Sequence, residues 1–314
     1  MNYSSLSIVG KMGENYSVDM VRLKFLLHSK SNADNLVRYI RINDGVLFNS
    51  TPIRKFVEFK YRYHYTIKTQ NSVLIIEYGF DDGTREGMNK GFIEFNPNKF
   101  VYEPDYNVLC DFLRVLEYDI LMDSPYCIKG EVFELGRWDL AIDFPEQRNQ
   151  FYLVQDKRNY QYIKSRSGVT EYLGVRNTGG FVKLYDKTKE SKLNEILTRL
   201  EITFDGYNYP TFPVMYKKKR QEFLRFGLND TQMVLVDLLN MLEPQEKEVY
   251  FKRLGRRVQS TIKEAVYDDE EYEFDFIAIS YLMDGLRSLE KGVLLDNFKN
   301  IKNEFHDSKD LPFN

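Results

Sequence analysis

Histidine is scarce in this chain. The three residues, His28, His64 and His306, are scattered, with no His-x-His or Glu-x-x-His spacing. That excludes the usual zinc sites and a Ser-His-Asp triad. Cysteine is scarcer still, at two residues, Cys110 and Cys127. A disulfide scaffold is therefore excluded, and two reduced core thiols of a cytoplasmic protein are expected. No apolar run approaches the ~20 residues of a membrane helix. The N-terminus, MNYSSLSIVGKMGENYS, lacks a basic segment followed by a long apolar stretch, so no signal peptide and no membrane partner are expected. A Gly-x-x-x-x-Gly-Lys-Ser/Thr loop is also missing, which excludes nucleotide hydrolysis by a P-loop. Nor is there an excess of positive charge: 44 Lys and Arg against 47 Asp and Glu leave a net charge of −3. On average that argues mildly against nucleic acid, but the distribution of charge matters more than its sum.

What is present is a 314-residue chain, 43% apolar, with 23 Tyr and 23 Phe. It is long enough for a sizeable core in one to three domains, and its aromatic content favours strands and stacking surfaces. Basic residues gather twice, at Lys217, Lys218, Lys219 and Arg220, and at Lys252, Arg253, Arg256, Arg257 and Lys263. Acidic residues concentrate at Asp268, Asp269, Glu270 and Glu271. Such a basic face suits a DNA binder and equally suits solvated helix faces.

To about Ile202 the pattern is mainly strands with a few helices. Tyr61–Lys68 and Ser72–Tyr78 alternate as a hairpin around Gln70 and Asn71, and Asp34–Arg41 and Asn107–Met122 read as helices on a sheet. Beyond Gln221 the period becomes helical, at Asp230–Leu242, Gln245–Val266, Phe274–Glu290 and Leu294–His306. The chain thus reads as α+β, sheet-rich over 1–210 and helical over 211–314. The break near Asn208–Met215, where Pro210 and Pro213 interrupt any helix, is soft, and the two parts are expected to pack as one unit.

Four strand segments share a division into one apolar and one polar face. Ile93 and Phe95 oppose Glu94; Trp138, Leu140, Ile142 and Phe144 oppose Asp139 and Asp143; Val182 and Leu184 oppose Lys183 and Tyr185; Leu200, Ile202 and Phe204 oppose Arg199 and Glu201. If these strands are neighbours, carboxylates converge near Tyr185. Hard oxygen ligands of that kind suit Mg²⁺ or Mn²⁺. Asp139 and Asp143 are four residues apart, ~13 Å along a strand, so one of them has another role. A tyrosine attacking phosphorus must lose its proton from a pKa near 10, a barrier that Lys183 or the metal is expected to lower. For any one of these carboxylates, plain solvent exposure on a half-buried sheet is the first explanation, and only their joint occurrence on four strands favours a site.

The blocks IEFNPNKF (93–100), RWDLAIDF (137–144), YLGVRNTGGFVKLYDKTKE (172–190) and TRLEITF (198–204) resemble, in order and spacing, the rolling-circle plasmid replication initiators of the Rep-trans family. The helical tail, from MVLVDLL (233–239) to IKEAV (262–266), is similar too. The resemblance covers about Tyr61 to Val266. It implies a strongly curved, mostly antiparallel sheet flanked by helices, in a homodimer. It also implies an enzyme that nicks and rejoins one strand at a plasmid double-strand origin. The tyrosine of its FxxxYxK block, Tyr185 here, becomes joined to the 5′ phosphate. Lys183 and Arg176 are expected to assist. Mg²⁺ or Mn²⁺ is implied, with Glu94, Asp139 and Glu201 as the first expected ligands and Asp143 and Glu190 in reserve. Origin choice is expected to fall to Leu254, Gly255, Arg256, Arg257, Val258 and Gln259, with Lys217 and Lys218 adding to DNA binding. A host superfamily 1 helicase is the implied protein partner. A relaxase of an integrative element and a non-catalytic DNA-binding regulator are the competing readings.

Overall fold

The computed structural model describes residues 7–9, 14–27, 29–52, 63–79, 90–100, 102–121, 132–166, 168–209, 215–219, 228–267, 269–274 and 276–290. In chain order these form β1 (Ser7–Val9), β2 (Asn15–Leu26), α1 (Lys30–Asn43), β3 (Asn49–Pro52), β4 (Tyr63–Lys68), β5 (Val73–Tyr78), β6 (Lys90–Phe95), α2 (Glu103–Val115) and β7 (Glu134–Phe144). There follow β8 (Phe151–Leu153), β9 (Tyr160–Ser165), β10 (Gly168–Leu173), β11 (Val182–Asp186), α3 (Lys187–Ser191), β12 (Thr198–Asp205) and β13 (Met215–Lys219). The last elements are α4 (Asp230–Asn240), α5 (Pro244–Arg253), α6 (Arg256–Val266), β14 (Asp269–Glu273) and α7 (Phe276–Glu290). The fold is mixed, with a large antiparallel sheet and a mainly helical C-terminal part. No helix among the described residues is long and apolar enough to cross a membrane.

Two compact units divide the chain. The first comprises Met1–Ala141, Thr203–Tyr209 and Phe276–Asn314, and the second Ile142–Ile202 and Pro210–Asp275. The chain passes between the units within β7, within β12, between Tyr209 and Pro210, and between Asp275 and Phe276.

In the first unit the strands are ordered β3-β4-β5-β6-β2-β7, with β1 on β2. Val21, Leu23, Ile67, Leu74, Ile76 and Ile93 are fully buried between the strands and the helices. Helix α1 starts earlier than its periodicity suggests. Ser29 caps it by accepting from the Asn32 backbone N–H, and the Asn32 side chain answers the Ser29 N–H at 3.0 Å. The same Asn32 amide donates to the Ile120 carbonyl. Helix α2 begins at Glu103 with a proline in its first turn, and after Val115 it widens into a π-helical turn, Leu116–Leu121. The lone tryptophan, Trp138, is fully buried, stacks on Phe204 at 4.3 Å and donates to the Gly206 carbonyl at 3.0 Å. The polar indole nitrogen is thereby satisfied inside an apolar core.

In the second unit the order is β12-β11-β10-β9, and a small sheet, β14-β13-β8, accompanies it. The hairpin of β4 and β5 is formed where the alternation predicts it, but other elements were not legible. Gln245–Val266 reads as one helix, yet the chain turns at Leu254 and Gly255, both extended, to give α5 and α6. The turn lets Phe251 of α5 and Ile262, Ala265 and Val266 of α6 close on Val236 and Leu239 of α4 as one apolar cluster. Also unexpected are β13 and β14. Their register sets Lys217 opposite Glu271, Lys218 opposite Glu270 and Lys219 opposite Asp269. A basic run and an acidic run, each of which reads as a solvated face, are thus cross-strand neighbours, an arrangement that favours pairing. The expected helix Leu294–His306, with Cys127 and Arg220, lies outside the described residues.

Candidate active site and helical DNA surface

Strands β10 and β11 form a hairpin whose connecting turn requires left-handed backbone at Gly174 (φ 96°), Asn177 (φ 67°) and Gly180 (φ 83°). Arg176 stands in this turn, exposed, with its guanidinium 5.8 Å from the centre of the Tyr172 ring. Tyr185 is at the opposite, open end of the hairpin, between Thr170 of β10 and Arg199 of β12. Arg176 therefore occupies the wrong end of the hairpin for the role expected of it. Directly after Tyr185, Asp186 caps α3 by accepting from the Lys189 N–H at 2.9 Å. This short helix, which the pattern does not reveal, carries Lys187 and Glu190 back beside the tyrosine.

Tyr185 is 3% exposed. Its hydroxyl donates to Oε1 of Glu201 at 2.5 Å. The Lys183 ammonium lies 3.6 Å from the ring centre, and that of Lys187 lies 5.7 Å away. Lys183 also stands 3.5 Å from Glu190 and 3.6 Å from Oε2 of Glu201, so one ammonium bridges two carboxylates. Burial would raise the Glu190 pKa, but the hydrogen bond from Lys187 and the charges of Lys187 and Lys183 hold it below the usual range.

The expectation that Lys183 makes the phenol more acidic is not met. Burial, then the charge of Glu201 and the hydrogen bond to it, push the Tyr185 pKa far above its ordinary value, and Arg199 opposes them only in part. The protonated hydroxyl is the donor in the hydrogen bond to Glu201. The sign of the stability effect follows. The unfolded chain ionises this tyrosine near the ordinary value of 10 while the folded chain does not. Its contribution is complete below pH 10 and is lost as pH rises above it. Urea titrations on either side of that pH should show wild type losing stability more steeply than Tyr185→Phe. Equal slopes would mean that the phenol ionises normally.

The four carboxylates expected to bind metal have separate partners. Glu94 Oε2 accepts from Arg22 at 2.8 and 2.5 Å, and Asp139 lies 3.8 Å from Arg137, both pairs within the first unit. In the second unit Asp143 accepts from Arg199 at 2.6 and 2.7 Å. Asp143 thereby fixes the guanidinium that lies across the strand from Tyr185. Among the described residues no three His, Cys, Asp or Glu side chains gather as ligands. Glu190 and Glu201 both stand beside Tyr185, with the Lys183 ammonium between them in the place a cation would take.

On the helical trio, Leu254 and Val258 pack against the apolar cluster. Gln259 donates to the Leu254 carbonyl at 2.6 Å and so closes the turn before α6. Gly255 caps α6 without a side chain, and Arg256 and Arg257 stand exposed in its first turn. Lys218 is taken up by Glu146 at 2.6 Å, and Lys217 is half-buried. Arg256 and Arg257 are thus the members of the expected DNA set that face outward with charge. Strand periodicity exposes Arg199 only as a polar-face residue. Its place beside Tyr185 comes from register, and no local signal marks it.

No known family profile matches the chain. Over 120 residues it is 29% identical to replication initiation proteins of Staphylococcus aureus, a stretch covering 35% of this chain and 34% of each of those proteins. The chain thus spans 34% of the length of the curated relatives it matches. A solved rolling circle replication initiator protein from Geobacillus stearothermophilus aligns with a TM-score of 0.34 and 15% identity, over 62% of this chain and 76% of that one.

Proposed function

We propose that this chain is a replication initiator that nicks and rejoins one strand of plasmid origin DNA through Tyr185. The observation that carries the reading is the Tyr185 hydroxyl hydrogen-bonded to Glu201 beside an ammonium group. The relatives named replication initiation proteins support the biological setting. Oη of Tyr185 attacks phosphorus, its proton passes to Oε1 of Glu201, and the bond to the 3′ oxygen breaks, that oxygen taking a proton from water. The strand then ends in a 3′ hydroxyl, and its 5′ phosphate is esterified to the tyrosine. Attack by a 3′ hydroxyl on that ester reverses the step. Lys183 sits where an incoming phosphate would need positive charge. With Lys183 turned from these carboxylates to the phosphate, Glu190 and Oε2 of Glu201 would be left to hold Mg²⁺ or Mn²⁺, which when bound supplies Lewis-acid stabilisation of phosphoryl charge.

The direct test is incubation with supercoiled origin plasmid and Mg²⁺, followed by digestion and mass spectrometry. A nucleotide adduct on Tyr185 is expected. An adduct on another tyrosine would move the site, and intact plasmid would favour a DNA-binding regulator.

Exposed arginines at the start of α6 are the groups that would read or grip the origin. Arg256→Ala should weaken origin binding by ~1–3 kcal/mol if it contacts a base edge. A uniform loss on all duplexes, with a shallower salt dependence, would make it a phosphate contact. Competition binding at two salt concentrations separates the two.

A further inference from the structure

The second unit holds a cleft of about 270 Å³ whose walls include Tyr152 of β8, Tyr160 and Tyr162 of β9, Gln245 of α5 and Tyr267 at the end of α6. We infer that this cleft receives an unstacked base of single-stranded DNA. The inference rests on the proposal that the chain acts on DNA, and it concerns a surface other than that of Tyr185.

Three features select this guest. Tyrosine rings from three different elements give flat π-surfaces, and bases stack on such rings with little regard to sequence. Three of the four ionic groups in the wall are engaged as follows, the fourth being the half-buried Lys217. Glu171 is bonded to Arg148 at 2.5 Å, Glu248 to Lys252 at 2.5 Å, and the Lys247 ammonium donates to the Val266 carbonyl at 2.7 Å. A charged guest would gain no counter-charge from these groups, whereas an uncharged planar one needs none. Finally, the Tyr162 hydroxyl is enclosed and has no hydrogen-bond partner among the described residues. An enclosed donor of this kind is costly to leave unmet, and the carbonyl or ring nitrogen of a base would accept from it. The Tyr160 hydroxyl, by contrast, is fixed between Glu171, to which it donates at 3.1 Å, and the Gln245 amide, so that its ring is held in place as a wall.

The test uses the full chain and two single-stranded probes of equal length, oligothymidylate and a wholly abasic deoxyribose-phosphate oligomer. Wild type should bind oligothymidylate about 5- to 150-fold more tightly than the abasic probe, the range expected for stacking of one base. Tyr152→Ala and Tyr162→Ala should each reduce that preference and leave affinity for the abasic probe unchanged. Tyr162→Phe keeps the ring and should lose the roughly fivefold that one hydrogen bond contributes, while keeping the stacking share, which preserves the test if an alanine variant melts early. No preference in wild type, or an equal loss on both probes, would overturn the inference. Wild type that nicks origin plasmid yet shows no base preference would sink the cleft alone. Wild type that neither nicks origin plasmid nor binds either probe would sink the proposed function with it.

Discussion

Tyr185→Phe should abolish nicking of origin plasmid while leaving origin binding within about twofold of wild type, since it removes only one hydroxyl. The ring remains to fill its buried place and to carry the Lys183 ammonium on its face. The loss of one hydrogen bond to Glu201 should cost about 1 kcal/mol of stability, too little to unfold the chain. Nicking on supercoiled plasmid and duplex binding, measured side by side, check both halves. Loss of binding together with nicking would make the tyrosine a structural residue. Glu201→Gln is the companion. If Glu201 takes the proton, nicking should fall about 10²- to 10⁴-fold with the phenol still in place. Activity close to wild type would return Glu201 to the role of a metal ligand or of a packing partner.

The second large effect is on stability. Arg148→Ala should destabilise the second unit by about 3–5 kcal/mol, because it strands a charge that has no access to water. Arg148 is 4% exposed and Glu171 2%. The guanidinium donates to Glu171 at 2.5 Å and to the Phe151 carbonyl at 2.6 Å, and it lies 3.9 Å from Glu243 at the start of α5. Glu171 in turn accepts from the Leu153 N–H at 3.0 Å. One ion pair therefore joins β8, β10 and the first turn of α5, and β10 is the neighbour of the strand that carries Tyr185. Replacing both partners with apolar residues, Arg148→Met with Glu171→Leu, should restore most of the loss. Urea denaturation followed by circular dichroism measures each variant. A loss below about 1 kcal/mol for Arg148→Ala would mean that water reaches the pair, as it does for surface ion pairs.

How far the sequence reaches differs between the fold and the site. Alternation within a strand is local, so Val182 and Leu184 could be assigned to one face and Lys183 and Tyr185 to the other. Both assignments of face survive, although Tyr185 proves to be buried. Helix boundaries depended on caps. The Ser29–Asn32 box lengthened α1, and the turn at Leu254 and Gly255 divided a span whose periodicity is continuous. Burying one shared cluster against α4 decides that turn, and no window of sequence contains both sides of the cluster. The oppositely charged runs of β13 and β14 are separated by 49 residues between Lys219 and Asp269 counted along the chain, so each by itself looked like a solvated face.

By itself the sequence determined the residue types and their faces: an α+β chain, a tyrosine among lysines and acids, and an arginine pair inside a helical span. Those features follow from periods of two and of 3.6 residues, which are properties of the chain alone. Tertiary structure decided the partners. Register β11–β12 set Tyr185 opposite Arg199 and brought its hydroxyl to Glu201. Register also left Asp143 to Arg199, while Glu94 was taken up by Arg22. A carboxylate in a sequence is a possible metal ligand, proton acceptor or counter-ion. Which of these it becomes depends on the charge that stands within about 4 Å of it, because Coulombic attraction and desolvation act through space and not along the chain.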